Sequence, residues 1–101
     1  MKITVVKLVT GDEVIGTLVE GTEEQDQYIV LGKARTLVMQ QAENGQIGLG
    51  MMPFMPSADN PVTDSESDIK IYTAFIVAEP VELPKALEDS YIKATSNIHL
   101  V

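Results

Sequence analysis

The 101-residue sequence contains no cysteine. That absence excludes disulfides, thiol catalysis and cysteine metal sites together, and it fits a cytoplasmic setting. Histidine is nearly absent too: His99, close to the end, is the only one. A catalytic histidine must be held by an acid and placed against a nucleophile. A terminal histidine reads instead as a solvated side chain. No glycine-rich phosphate loop of recognisable spacing is present, so neither catalysis nor a cofactor is expected.

Basic residues are scarce. Seven Lys plus Arg stand against fifteen Asp plus Glu, for a net charge of −8. Phosphate contact drives most nucleic-acid affinity and usually demands the opposite balance. A nucleic-acid role here would have to rest on a local patch, on stacking, or on repetition of a weak site. The same charge favours solubility and works against adhesion to anionic membranes. Long apolar runs are missing as well; none approaches the roughly 20 residues that span a bilayer. The start, Met1-Lys2-Ile3-Thr4, alternates like a strand and lacks the apolar stretch of a cleavable signal.

What remains is ordinary for a folded domain: 45% apolar and 22% charged residues. A chain of this length buries roughly 65% of its unfolded surface, enough for one modest core. A single domain over residues 1–101 is expected, mainly β, with about five strands and a C-terminal helix.

Residues 2–9 alternate as a strand, Thr10-Gly11-Asp12 is a turn signal, and residues 13–19 form a second strand. Gly11 accepts the positive φ that a tight hairpin needs. Residues 20–26 (EGTEEQD) make an acidic loop without an apolar side chain. Residues 28–31 resume β character, Gly32 marks a bulge, and residues 35–41 continue. Asn44-Gly45 is the strongest hairpin signal, with a return strand over residues 46–54. Residues 57–67 (SADNPVTDSES) read as one long polar loop. Residues 69–78 read as a single strand apolar on both faces, ended by Pro80. Pro84 can open a helix over residues 84–97, with Leu87, Tyr91, Ala94 and Ile98 at helical spacing.

Few residues suggest chemistry. Asp64-Ser65-Glu66-Ser67-Asp68 spaces acids two apart, which can suit a hard cation. It lacks the central glycine and distant bidentate Glu of the helix-loop-helix calcium site, so it reads as a solvated acidic loop and no metal is expected. Residues 48–55 (GLGMMPFM) gather three of the five methionines beside Phe54. These side chains either fill the core or form a subunit or partner interface, and methionine suits adaptable apolar contacts. The expected interface comprises Leu49, Met51, Met52, Phe54, Ile71 and Phe75. Tyr28, at a junction of loop and strand, either covers the sheet or stacks on a base. Lys33 and Arg35 are the closest basic pair and the candidates for phosphate contact.

The first hairpin resembles a known pattern. Leu8-Val9-Thr10-Gly11-Asp12-Glu13-Val14-Ile15-Gly16-Thr17-Leu18 is similar to the first signature motif of the Sm-like (LSm) proteins. Asp26-Gln27-Tyr28-Ile29 is similar to that motif's end, displaced by a longer acidic loop. The resemblance covers about residues 3–31 and, with the acidic composition, extends to the small Sm-like proteins of marine bacteriophages. It implies a strongly bent five-stranded antiparallel sheet forming a small open barrel, and a homo-oligomeric ring of about five to seven subunits. It also implies single-stranded RNA binding, with Tyr28 stacking and Asp26 orienting the loop. Val30 stands where the family has a base-reading Asn. Asp68-Ile69-Lys70 stands where it has Arg-Gly, so Lys70 takes the place of the arginine. The helix follows the strands here, whereas in the family it precedes them.

The expectation is therefore a non-enzymatic Sm-like ring in the cytoplasm, a host's if the chain is phage-encoded. It would bind single-stranded RNA through Asp26, Tyr28, Lys33, Arg35 and Lys70. The alternative is a structural or adaptor ring that binds protein partners and no RNA, favoured by the −8 charge and the Met-rich strand.

Overall fold

The computed structural model describes residues 2–19, 27–60, 65–66 and 68–96. The acidic loop with Asp26, Asp64 and Ser67 of the Asp64–Asp68 run, Ile98 and His99 lie outside them. The chain is mainly β, with one C-terminal helix.

Strands β1 (Lys2–Leu8) and β2 (Glu13–Leu18) form an antiparallel hairpin. Its turn is closed by the Leu8 N–H on Asp12 O at 2.8 Å and the Gly11 N–H on Leu8 O at 2.9 Å. Gly11 takes φ +93°, a left-handed value that glycine adopts without a Cβ penalty. Strand β3 (Tyr28–Gln41) is the spine of the sheet. One edge pairs with β2; the other is shared, with β4 (Ile47–Pro53) along one half and β7 (Ile69–Tyr72) along the other. The Asn44-Gly45 hairpin forms, with Gly45 at φ +84°.

Between its two partners β3 is distorted. Its register against β2 shifts between Ile15 and Thr17, which face Arg35 and Gly32. The extra residue is a bulge, and Lys33 within it takes φ +50°. The expected irregularity at Gly32 is thus present, with the positive φ one residue later. Gly16 lies opposite, where an added Cβ would come within 2.9 Å of Leu31 Cβ.

Residues 69–78 do not form the single strand that their alternation predicts. They divide into β7, a 3-10 turn (Thr73–Phe75) and β8 (Ile76–Ala78). The division follows from their partners: β7 pairs with β3, whereas β8 pairs with β1. The six-stranded sheet runs β4-β3-β2-β1-β8 with β7 beside β3, and its hydrogen-bonded ladder is not closed. The polar stretch 57–67 is not wholly irregular either. A 3-10 turn (Pro56–Ala58) precedes a two-residue ladder of β5 (Asp59–Asn60) and β6 (Ser65–Glu66).

Apolar side chains occupy both faces of the sheet, which accounts for the two-faced strands. On one face Val6, Val14, Leu31, Ala34, Ile69 and Ile71 form a buried cluster. On the other, Val5 and Ile15 meet Tyr91 of α1 (Lys85–Thr95), with Leu83, Leu87 and Met51 alongside. Each such aliphatic side chain, when fully buried, contributes about 1.5–3 kcal/mol.

The helix begins after Pro84, whose carbonyl accepts from the Leu87 and Glu88 N–H groups. Its inward stripe is the partly buried Leu87 and the buried Tyr91 and Thr95, spaced four apart. Ala94, expected on that stripe, is exposed. Thr95 satisfies its buried hydroxyl on Tyr91 O at 2.8 Å. Among the described residues no helix is long and apolar enough to cross a membrane.

Candidate nucleic-acid interface

The two-residue period of a strand sets what each face of the β3–β7 ladder presents. Ile29, Leu31, Ile69 and Ile71 point inward and join the core or pack against it. Tyr28, Val30, Lys70 and Tyr72 therefore share the outer face. In register, Tyr28 sits opposite Tyr72 and Val30 opposite Lys70.

This register builds a compact group. The Tyr28 and Tyr72 rings meet edge to face, with centroids 6.3 Å apart and planes at 73°. The Lys70 ammonium lies 4.4 Å from the Tyr28 ring centroid, within cation–π range. Tyr72 is half exposed, Lys70 exposed and Tyr28 partly covered. The end of the ladder is pinned just beyond: the Thr73 N–H and Oγ1 both donate to Gln27 O, at 2.9 and 3.2 Å.

An apolar groove of about 300 Å³ adjoins the group. Lys70 and Tyr72 line it together with Val9, Phe54, Met55 and Phe75. Patch and groove make a continuous surface of aromatic and aliphatic side chains with one cation.

The structure thus brings Tyr28 and Lys70 together, and adds Tyr72, which sequence reading missed. Its alternation partner Lys70 was a signal, but pairing with Tyr28 needs the β3–β7 register. Lys33 and Arg35 are placed elsewhere. The Lys33 Nζ donates to Thr95 O at 3.1 Å, so this charge caps the last turn of α1. Arg35 is half-buried, opposite Ile15 and Pro53, and its Nη1 donates to Ala34 O at 3.2 Å. Asp26 lies outside the described residues.

The expected interface residues separate by burial. Leu49, Met52 and Phe75 are more than half exposed. Ile71 is a core residue, only 6% exposed, in the wall of the apolar groove. Met51 and Phe54 are partly covered and pack against the two core clusters.

Among the described residues no group of three or more His, Asp or Glu could hold a metal. Compared with models of known families and with curated proteins, the chain matches none.

Proposed function

We propose that this chain is an Sm-like protein that assembles edge to edge and binds single-stranded RNA on the outer face of β3 and β7. On this reading β7, the 3-10 turn and β8 act together as the last element of a small barrel. That barrel is completed by the chain at Thr73–Phe75 instead of by a hydrogen-bonded seam. The observation that carries the reading is the Tyr28–Tyr72–Lys70 group, with two stackable rings and one exposed ammonium within one ladder. A phosphate would draw Lys70 away from Tyr28 and free that ring face for a base.

Assembly follows from the sheet's ends. Among the described residues, the path β4-β3-β2-β1-β8 leaves the outer edges of β4 and β8 unpaired. Ile47, Leu49 and Met52 are exposed at one end, Phe75 and Val77 at the other. Joining β4 of one copy to β8 of the next is a head-to-tail contact, which forms a ring when its rotation closes. A ring repeats the weak stacking site at high effective concentration, which offsets the acidic net charge.

The test is fluorescence anisotropy of a labelled U-rich oligonucleotide at low and moderate salt. Tyr28→Ala and Tyr72→Ala should each cost about 1–3 kcal/mol per stacked base. Lys70→Gln should lower the salt slope by about one. Affinities unchanged by all three substitutions would remove this face from the site. No binding even at low salt would favour the second reading, a protein-binding adaptor whose partner fills the groove beside Phe54 and Phe75.

A further inference from the structure

A second surface lies on the opposite side of the hairpin. β1 pairs with β2 along its whole length, but β8 covers its other edge only at Lys7 and Leu8. The Leu8 N–H donates to Asp12 O across the hairpin, while the Val9 N–H donates to Phe75 O on the β8 side. Antiparallel pairing alternates the direction of backbone groups. The N–H and C=O of Ile3 and Val5 therefore face away from β2, onto the open edge.

Among the described residues, the chain beyond β8 does not close that edge. Pro80 has no N–H to contribute to a ladder, and residues 79–83 run off to the start of α1. A cleft of about 640 Å³ remains between them and residues 2–5 of β1. This volume is within the range of about 300–1,000 Å³ typical of ligand sites. Glu79, Glu82 and Glu88 line the cleft against Lys2, the one cation among its described lining residues. Val81, also in its wall, is fully exposed and offers an uncovered apolar contact.

We propose that this cleft receives an extended peptide that alternates basic and apolar side chains and adds to β1 as a further strand. Backbone groups of Ile3 and Val5 would pair with the incoming strand, as in other cases of strand addition. The glutamates would meet its Lys or Arg side chains, and Val81 its apolar ones. The charge of the wall selects the partner: an acidic strand meets three like charges, which disfavours it. The site is independent of the β3–β7 face, and its success or failure leaves the RNA reading untouched.

The experiment titrates a fluorescein-labelled peptide of alternating Val and Lys with the full chain. The controls are the Val-Glu peptide and a Val-Lys peptide N-methylated at every second amide. Binding of the basic peptide is expected, with at least tenfold weaker binding of both controls. Glu79→Lys/Glu82→Lys, two exposed changes checked by circular dichroism melting, should weaken it at least tenfold. Hydrogen exchange should slow at the Ile3 and Val5 amides on binding. Failure of the Val-Lys peptide to bind would overturn the proposal. So would equal binding of either control, indifference to charge reversal, or binding without added protection at Ile3 and Val5.

Discussion

A methyl group added at Gly16 would sit 2.9 Å from Leu31 Cβ and 3.2 Å from Gly32 O. Both neighbours belong to the spine strand and cannot swing aside as a flexible side chain would. Gly16→Ala should therefore destabilise by about 1–3 kcal/mol, read as a lower urea midpoint with an unchanged slope. Thr4 presents the opposite case. Its Oγ1 is buried with no hydrogen-bond partner among the described residues. Such an orphan costs about 1–3 kcal/mol, whereas an apolar isostere does not pay that desolvation cost. Thr4→Val should leave stability unchanged or raise it; a loss above about 1 kcal/mol would mean that the hydroxyl is satisfied in solution. Residue identity was a fair guide to these sites only in part. The hairpin glycine at 11 was legible from its turn, but nothing local distinguishes Gly16 until β3 lies against it.

The helix and the β3 bulge depend on each other. Where the bulge interrupts pairing, the Tyr91 hydroxyl reaches Gly32 O at 3.1 Å and Lys33 O at 3.0 Å. It also lies 3.2 Å from Thr17 Oγ1. Lys33 answers from the bulge by donating to Thr95 O at the helix end. Tyr91→Phe keeps the ring in its pocket but withdraws the donor, and should cost about 1–3 kcal/mol of global stability. Hydrogen exchange should rise first at residues 32–34 if the hydroxyl pins the bulge; a uniform change across the sheet would contradict that. The helix itself was legible from Pro84 and the spacing of Leu87 and Tyr91. Its third contact was not: Ala94 fits the apolar pattern, but Thr95 is the residue one full turn beyond Tyr91. A threonine can take that buried place because it bonds back to the Tyr91 carbonyl.

At the scale of the whole molecule, exposed apolar side chains gather at the two ends of the sheet, on β4 and around β8. Edges of this kind seek partners unless something covers them. Light scattering at micromolar concentration should return a mass several times the 11.0 kDa of one chain. Met52→Lys, a charge introduced where the side chain is 54% exposed, should shift the population toward monomer with little change in the fold. A wild-type mass of one chain would sink the assembly and the closure argument with it. Because the chain carries a charge of −8, added salt should favour self-association while weakening any RNA contact, so the two effects can be separated.

By itself the sequence determined the mainly β class, the two glycine hairpins, the bulge and the terminal helix. All of these follow from local signals: turn chemistry, a two-residue alternation and a helical repeat near a proline. The tertiary structure decided the rest. It broke residues 69–78 at Thr73–Phe75, because one segment must pair with β3 and the next with β1. It buried Ile71 in the core, tied Lys33 to the helix end, and set Tyr72 against Tyr28 and Lys70. It also left the β1 edge open. Each depends on which strand lies beside which, and strand partnership is a long-range property that alternation within a single strand does not encode.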